Sequence, residues 1–329
     1  MLTNFNFSRF SPGQIQGHYE SFFQRANHPE LPLAFWIRYT IFNPHKQPEN
    51  AIGELWAIYF DGQTGQHTAV KSEFPMSECS FDQKSFNVKV SDSILSDGKL
   101  RGDAVHSNGK IEWDLSFTTD HQPLFDFPLS MYQAALPRAK VLVGHPLARF
   151  NGNLKVNGRS IPIENWIGSQ NHNWGSKHTD HYAWGQVAGF QKFPETFLEL
   201  ATARLKIGPI WTPAMTPIVL RHRGKEYRLN SLIETLRRAS FGYFWWDFQA
   251  NTPEIQIKGQ IRATRNDFIC LKYYNPPGGF KYCLNSKIAS CHLEIKTPDR
   301  LSADILDSSH NAAFEILTDS DDHGLSLSC

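Results

Sequence analysis

Ala34-Phe35-Trp36-Ile37-Arg38-Tyr39-Thr40-Ile41-Phe42 is a run of aromatic and β-branched residues with one charge inside it. That composition belongs to a strand rather than a helix. A second run, Glu54-Leu55-Trp56-Ala57-Ile58-Tyr59-Phe60, stops at the turn pair Asp61-Gly62. Phe86 to Val90 and Ile111 to Phe117 alternate apolar and polar residues, the period of a strand with one wet face. Leu154 to Ile161 turns at Asn157-Gly158, which supplies the positive φ angles of a tight hairpin. Val105 to Trp113 turns in the same way at Ser107-Asn108-Gly109-Lys110. Further strands are read at 196–207, 217–229, 254–263, 268–274, 289–295 and 312–317. One segment departs from this pattern. Ser231-Leu232-Ile233-Glu234 fits a capping box, with Leu232, Ile233 and Leu236 on one face and Arg237 and Arg238 near the end, and predicts one short helix.

Many strands and almost no helix predict an all-β chain, as a sandwich or barrel. A weak internal repeat sharpens this. Ala34 to Arg38 resembles Tyr182-Ala183-Trp184-Gly185-Gln186, Glu54 to Ala57 resembles Glu199-Leu200-Ala201-Thr202, and Leu100 to Ala104 resembles Ile257 to Ile261. The three matches keep their order at similar offsets, which predicts a duplicated domain rather than a short repeat unit. Each half is then an antiparallel barrel of about eight strands, wide enough for one small ligand. Pro123, Pro128, Pro137 and Pro146 punctuate the join. The division expected is 1–140 and 141–329, with the helix in the second half.

Composition narrows the function. The 329 residues carry 33 Lys and Arg against 32 Asp and Glu, a formal net charge of +1. That balance argues against a nucleic-acid binder, which needs a basic surplus. Apolar runs are too short for a membrane-spanning helix, and Met1 to Gln14 shows no secretory signal. Five cysteines (79, 270, 283, 291 and 329) include no C-x-x-C pair, as expected of reduced thiols in a cytoplasmic protein. Phosphate-loop, dinucleotide, nucleophile-elbow and H-E-x-x-H motifs are missing. The surplus is aromatic: 24 Phe, 10 Tyr and 9 Trp. Arg221, His222, Arg223, Arg237 and Arg238 form a mildly basic stretch, read as a solvated face, with a peripheral membrane contact as the weaker alternative.

The densest polar-aromatic segment runs from Glu164 through Trp166, Asn171, His172 and Trp174 to Asp180, His181, Tyr182 and Trp184. His172, His178 and His181 invite a metal reading, but their spacing does not converge them on a strand, so no metal is assigned. Two readings stay open: Asn and His side chains satisfying backbone groups in a turn, or a polar cluster at the mouth of an aromatic pocket.

The run Gly168 to Gly175 with His172-Asn173-Trp174-Gly175, then Tyr182 to Gln186 and the opening Gly17-His18-Tyr19-Glu20-Ser21-Phe22-Phe23, resembles the hydroxyneurosporene synthase (carotenoid 1,2-hydratase) and AttH-like family. Tocopherol cyclases and lipocalin-like Diels–Alderases are grouped with it. The resemblance implies two tandem lipocalin-like barrels and work on isoprenoid- or polyketide-like substrates without an organic cofactor. It departs at Asn171, where the hydratases carry an Asp before the motif His. An amide cannot donate a proton as a carboxylic acid does.

Hydrating or cyclising an alkene needs a proton delivered to carbon and a cation kept alive. A carboxyl buried against rings stays protonated, and aromatic faces stabilise cations by roughly 0.5–2 kcal/mol each. On this reading His172 and Asp180 are the catalytic candidates. Trp36, Trp56, Trp166, Asn171, Trp174, Tyr182, Trp184 and Trp246 are the candidate substrate wall. Glu20, Glu164 and Asp247 are further acids, with Glu20 and Asp247 each read as facing water. The readings weighed are a cofactor-free cyclase, hydratase or isomerase acting on a lipophilic small molecule, a carrier that only binds one, and a two-barrel protein with no small ligand.

Overall fold

Strand His18–Asn27 is buried along its whole length, and so is nearly all of Leu33–Asn43 and Ile52–Asp61. A strand with no wet face has two neighbours, one per face, and the fold supplies both. The computed structural model describes residues 4–231, 235–236 and 238–329.

Two antiparallel sheets take up most of the chain. In the first, the order is Thr68–Pro75, Ile52–Asp61, Leu33–Asn43, His18–Asn27, Arg159–Gly175, Ala139–Val156, Gly109–Thr118, Lys99–His106, Ser93–Ser96, Asn87–Val90 and Cys79–Phe81. In the second it is Lys225–Leu229, Ile218–His222, Phe193–Arg204, His181–Phe190, Asp304–Thr318, Phe280–Lys296, Gln256–Arg262, Trp245–Asn251 and Ala239–Gly242. The nine strands of the second order repeat the first nine of the first position by position. Each sheet curls around one apolar core, with Phe35, Tyr39, Trp113, Phe150 and Trp166 in the first and Phe248, Trp246, Phe268 and Phe314 in the second. The all-β, two-barrel architecture is the one the strand pattern predicts.

Two expectations need correction. The strand order makes His18–Asn27 the counterpart of His181–Phe190, so the repeated pair is His18-Tyr19 with His181-Tyr182. The matches read from sequence are one strand out of step, because apolar strands of one fold resemble each other more than they mark position. The sheets also change over between Gly175 and His181, not near residue 140. Strands Ala139–Val156 and Arg159–Gly175 close the first sheet, and the proline-rich stretch before them is only a connection within it.

The helix expected from Ser231 onward falls largely on residues 232–234 and 237, outside those described. Beside them Thr235 forms a turn and Leu236 bridges Met215. The turn chemistry held. Asn157 and Gly158 both have positive φ (50° and 86°), as do Arg223 and Gly224 (52° and 75°). All five cysteines are free, and among the described residues no helix is long and apolar enough to cross a membrane.

Period-two alternation now acquires a meaning. On His18–Asn27, Glu20, Phe22, Gln24 and Ala26 point into the first barrel, while Tyr19, Ser21, Phe23 and Arg25 point at the second. Phe22 and Ala26 join the first barrel's core, whereas Phe23 joins a different cluster. That cluster holds Trp36, Trp56, Phe60, Trp184, Leu271, Tyr273, Cys283 and Leu317 from both halves. The two barrels are fused face to face along an aromatic seam.

Candidate functional site at the seam between the barrels

The seam is apolar in outline but carries buried charge. Its best-connected group is Glu199, on Phe193–Arg204 and 1% exposed. Glu199 Oε1 accepts from Trp184 Nε1 at 2.6 Å, and Oε2 accepts from Gln186 Nε2 at 2.8 Å. Trp184, Gln186 and Glu199 are brought together by pairing of adjacent strands, in which Gln186 faces Glu199. Gln186 Nε2 also donates to Asn171 Oδ1 at 2.8 Å, so the first barrel holds the second by an amide pair. Ser169 Oγ and Arg25 Nε both donate to Gln186 Oε1, at 2.6 and 2.8 Å. Gly185 sits in this motif because a Cβ there would lie 2.8 Å from the Trp246 ring and 2.7 Å from Ile261.

Burial is the largest influence on the Glu199 carboxyl and raises its pKa to about 8, against hydrogen bonds from Trp184 and Gln186 that favour the charged form. Asp126, from the first half, is pushed well above the usual carboxylate range by burial first and by the nearness of Glu199 second. Its Oδ2 is buried and has no hydrogen-bond partner among the described residues. Two carboxyls from different barrels thus oppose each other's ionisation.

On the other side of the Trp36 and Trp184 rings, Lys287 is fully buried. Its Nζ lies 5.7 Å from the Trp36 ring and 5.4 Å from the Trp184 ring, and 2.7 Å from Glu315 Oε1. The seam also holds a small cavity of about 10 Å³, close to the space one water molecule occupies. Tyr19, Arg38, Thr40, Glu54, Trp56, His178 and Tyr273 line it. His178 stacks on Tyr19 with ring centres 4.0 Å apart. Burial, then the charge of Arg38, lowers its pKa to about 3 and keeps its ring neutral.

The structure distributes the residues singled out from sequence over three places. Trp36, Trp56, Asn171, Tyr182 and Trp184 meet at the seam. Trp166 lies in the first barrel's core and Trp246 in the second's, both fully buried. His172 and Trp174 lie inside the first barrel, because Arg159–Gly175 is a continuous strand and not the loop one reading of the segment supposed. His172 Nε2 meets Glu20 Oε1 at 2.8 Å, its Nδ1 meets the Phe5 carbonyl at 2.8 Å, and its ring stacks on Phe22 at 4.2 Å. Trp174 packs beside His172 and under Arg9.

Glu20 is not the exposed strand residue expected. It is fully buried and also accepts from Ser8 Oγ, the Arg9 amide and His18 Nε2. Burial would raise its pKa, but the hydrogen bonds from His172 and His18 outweigh this and hold it at about 2. Asp180 stands in the short connection between the sheets, paired with Lys177 and accepting from the Lys206 amide. Burial works against its charge, yet these contacts prevail and its pKa is lowered, the reverse of what a proton donor needs. Glu164 is exposed, and Asp247 pairs with Arg262 on the outer face. In the basic stretch, Arg223 and His222 hold Asp304, and Arg221 holds Glu226 and the carbonyls of Gln122 and Pro123.

Residues 16–317 match the family described as tocopherol cyclase-like. The chain belongs to the tocopherol cyclase-like family. Among curated proteins it is similar to the uncharacterized proteins Rv0493c and MT0513 of Mycobacterium tuberculosis (strains H37Rv and CDC 1551), each 23% identical over 186 residues. Those matches cover 56% of this chain and 56% of the relative, so the chain spans about half the length of the curated relatives it matches. Solved structures share the fold. Kievitone hydratase from Nectria haematococca superposes with a TM-score of 0.59 at 12% identity, over 98% of this chain and 94% of that one. A putative AttH from Nitrosomonas europaea gives 0.57 at 13%, over 97% and 96%. CghA gives 0.52 at 10%, over 92% and 88%.

Within this tocopherol cyclase-like chain, sequence reasoning passed over Glu199, Asp126, Arg38, Lys287 and Glu315. Their signal is common to several of them. Glu199 stands alone between Leu198 and Leu200, and Arg38 between Ile37 and Tyr39, in runs with no polar period. A single charge in a strand buried on both faces has no route to water.

Proposed function

We propose that this tocopherol cyclase-like protein is a cofactor-free acid–base enzyme that cyclises, hydrates or isomerises a lipophilic isoprenoid- or polyketide-like molecule at the seam. Glu199 is its proton donor. The observation that carries this reading is a carboxyl sealed among the rings of the seam and kept protonated to about pH 8. Proton transfer to carbon is most effective when the donor's pKa lies near the working pH. Trp184 and Gln186 then have a second use. Their N–H groups stabilise the carboxylate left after donation, and the Asn171 amide fixes Gln186 in place. Trp36, Trp56, Tyr182 and Trp184 offer ring faces to a developing cation. His172 and Asp180 hold positions on this account and transfer no proton.

The test is native mass spectrometry of purified protein, then extraction and identification of any co-purified compound. The compound is incubated with wild type and with Glu199→Gln. Turnover by wild type and inert retention by the variant is the expected outcome. Equal turnover by both removes Glu199 from the chemistry, and inert retention by both makes the protein a carrier.

A further inference from the structure

Arg38 is 4% exposed, and Glu54 and Glu315 lie near enough to favour its charge although each pairs with a lysine. Glu54 pairs with Lys71 at 2.7 Å and Glu315 with Lys287 at 2.7 Å. Among the described residues, no carboxylate lies within ion-pair distance of Arg38. Its Nε donates to Ser21 Oγ at 2.6 Å, and its flat face lies 4.5 Å from the Tyr273 ring. No described residue accepts from its two terminal nitrogens, and the guanidinium lines the seam cavity. Nearby acids favour the charge, but buried N–H donors left without an acceptor are costly unless something completes them.

A second observation points the same way. Thr40 lies two residues further along the same strand, on the same face and the same cavity wall, and its buried Oγ1 has no partner among the described residues. Trp36 Nε1, two residues before Arg38, is likewise buried and unpartnered. Three donors at period two thus lie on one face of Leu33–Asn43, and two of them, Arg38 and Thr40, share the cavity wall with a neutral His178 ring and with Glu54, which Lys71 pairs.

We propose that Arg38 and Thr40 bind a negatively charged oxygen of the substrate, a carboxylate or a comparably acidic hydroxyl. The cavity of about 10 Å³ takes that single oxygen, while the carbon skeleton lies along the rings of the seam. This rests on the seam being the substrate site, and it adds that the substrate is an acid with an apolar body.

The probes are a fluorescent long-chain polyene carboxylic acid and its methyl ester, titrated into the full chain. The acid binds wild type about ten-fold or more tighter than the ester, as one charge-assisted contact requires. Arg38→Met brings the acid to the ester's affinity and leaves the ester unchanged. Thr40→Val, which keeps the shape and removes the hydroxyl, weakens the acid selectively. It stands as the test should Arg38→Met fail to fold, since the wild-type comparison needs no variant. Equal binding of acid and ester overturns this inference and leaves the seam as the site. Binding of neither overturns both.

Discussion

Asn171 and His172 are consecutive residues that face different compartments. The Asn171 amide accepts from Gln186 of the second barrel at 2.8 Å, and the His172 ring meets Glu20 inside the first at 2.8 Å. Strand alternation alone produces this. It separates the motif into a half that joins the barrels and a half that seals one of them.

His172 holds the buried Glu20 carboxylate in place. Both of its ring nitrogens face oxygen acceptors, Glu20 and the Phe5 carbonyl, so the ring also ties down the amino-terminal segment. His172→Ala leaves a buried carboxylate short of its partner, at a cost of about 3–5 kcal/mol. Thermal unfolding shows a lower Tm, and activity falls only with the folded fraction. Full stability with no activity would return His172 to the chemistry.

Glu199 sets a slope on the alkaline side. Its folded pKa of about 8 lies above the ordinary 4.5. The folded state therefore holds a proton that the unfolded chain has lost, and stability declines as pH rises from 4.5 towards 8. Glu199→Gln flattens that decline. Denaturant midpoints at pH 6 and pH 8.5 measure it, and an unchanged slope means Glu199 is charged in the native protein.

Trp184→Phe separates ring from hydrogen bond. Loss of the Nε1 donor removes a contact that favours the Glu199 carboxylate. The alkaline limb of the pH–rate profile accordingly moves to higher pH. A limb that stays in place detaches this carboxyl from the rate.

His178 acts on the acid side. Its folded pKa of about 3 lies below the ordinary 6.5, so its contribution is present above pH 6.5 and lost as pH falls towards 3. Glu20, at about 2 against 4.5, adds a later loss between those values. His178→Phe keeps a ring on Tyr19 and removes the earlier of the two. Acid titration followed by near-ultraviolet dichroism distinguishes them.

Trp246→Ala and Trp166→Ala each empty a barrel core and cost about 3–5 kcal/mol. Neither ring lies at the seam. Urea unfolding of the pair, with ligand affinity in the folded fraction unchanged, checks that assignment.

The all-β duplication was legible because turn pairs such as Asn157-Gly158 and runs such as Ala34 to Phe42 have one local meaning. Its register was not, since Trp36 and Trp184 resemble each other while occupying different positions in the repeat. Trp36, Trp56, Tyr182 and Trp184 reached the seam because aromatic content marks buried surface, and Asn171 was found by its place before His172 in the motif. Aromatic content could not separate seam from core, so Trp166 and Trp246 were included with them. Glu199 and Arg38 escaped because polarity was read as exposure, and that rule fails for a strand covered on both sides.

Five residues, 176 to 180, connect the last strand of the first sheet to the first strand of the second. The tether is short, and the strands it joins contribute to one shared cluster, with Phe23 and Trp36 from the first half and Trp184 and Leu317 from the second. The two halves therefore act as one unit: strand Leu33–Asn43 of one supplies Arg38 and strand Phe193–Arg204 of the other supplies Glu199, so neither half alone holds both.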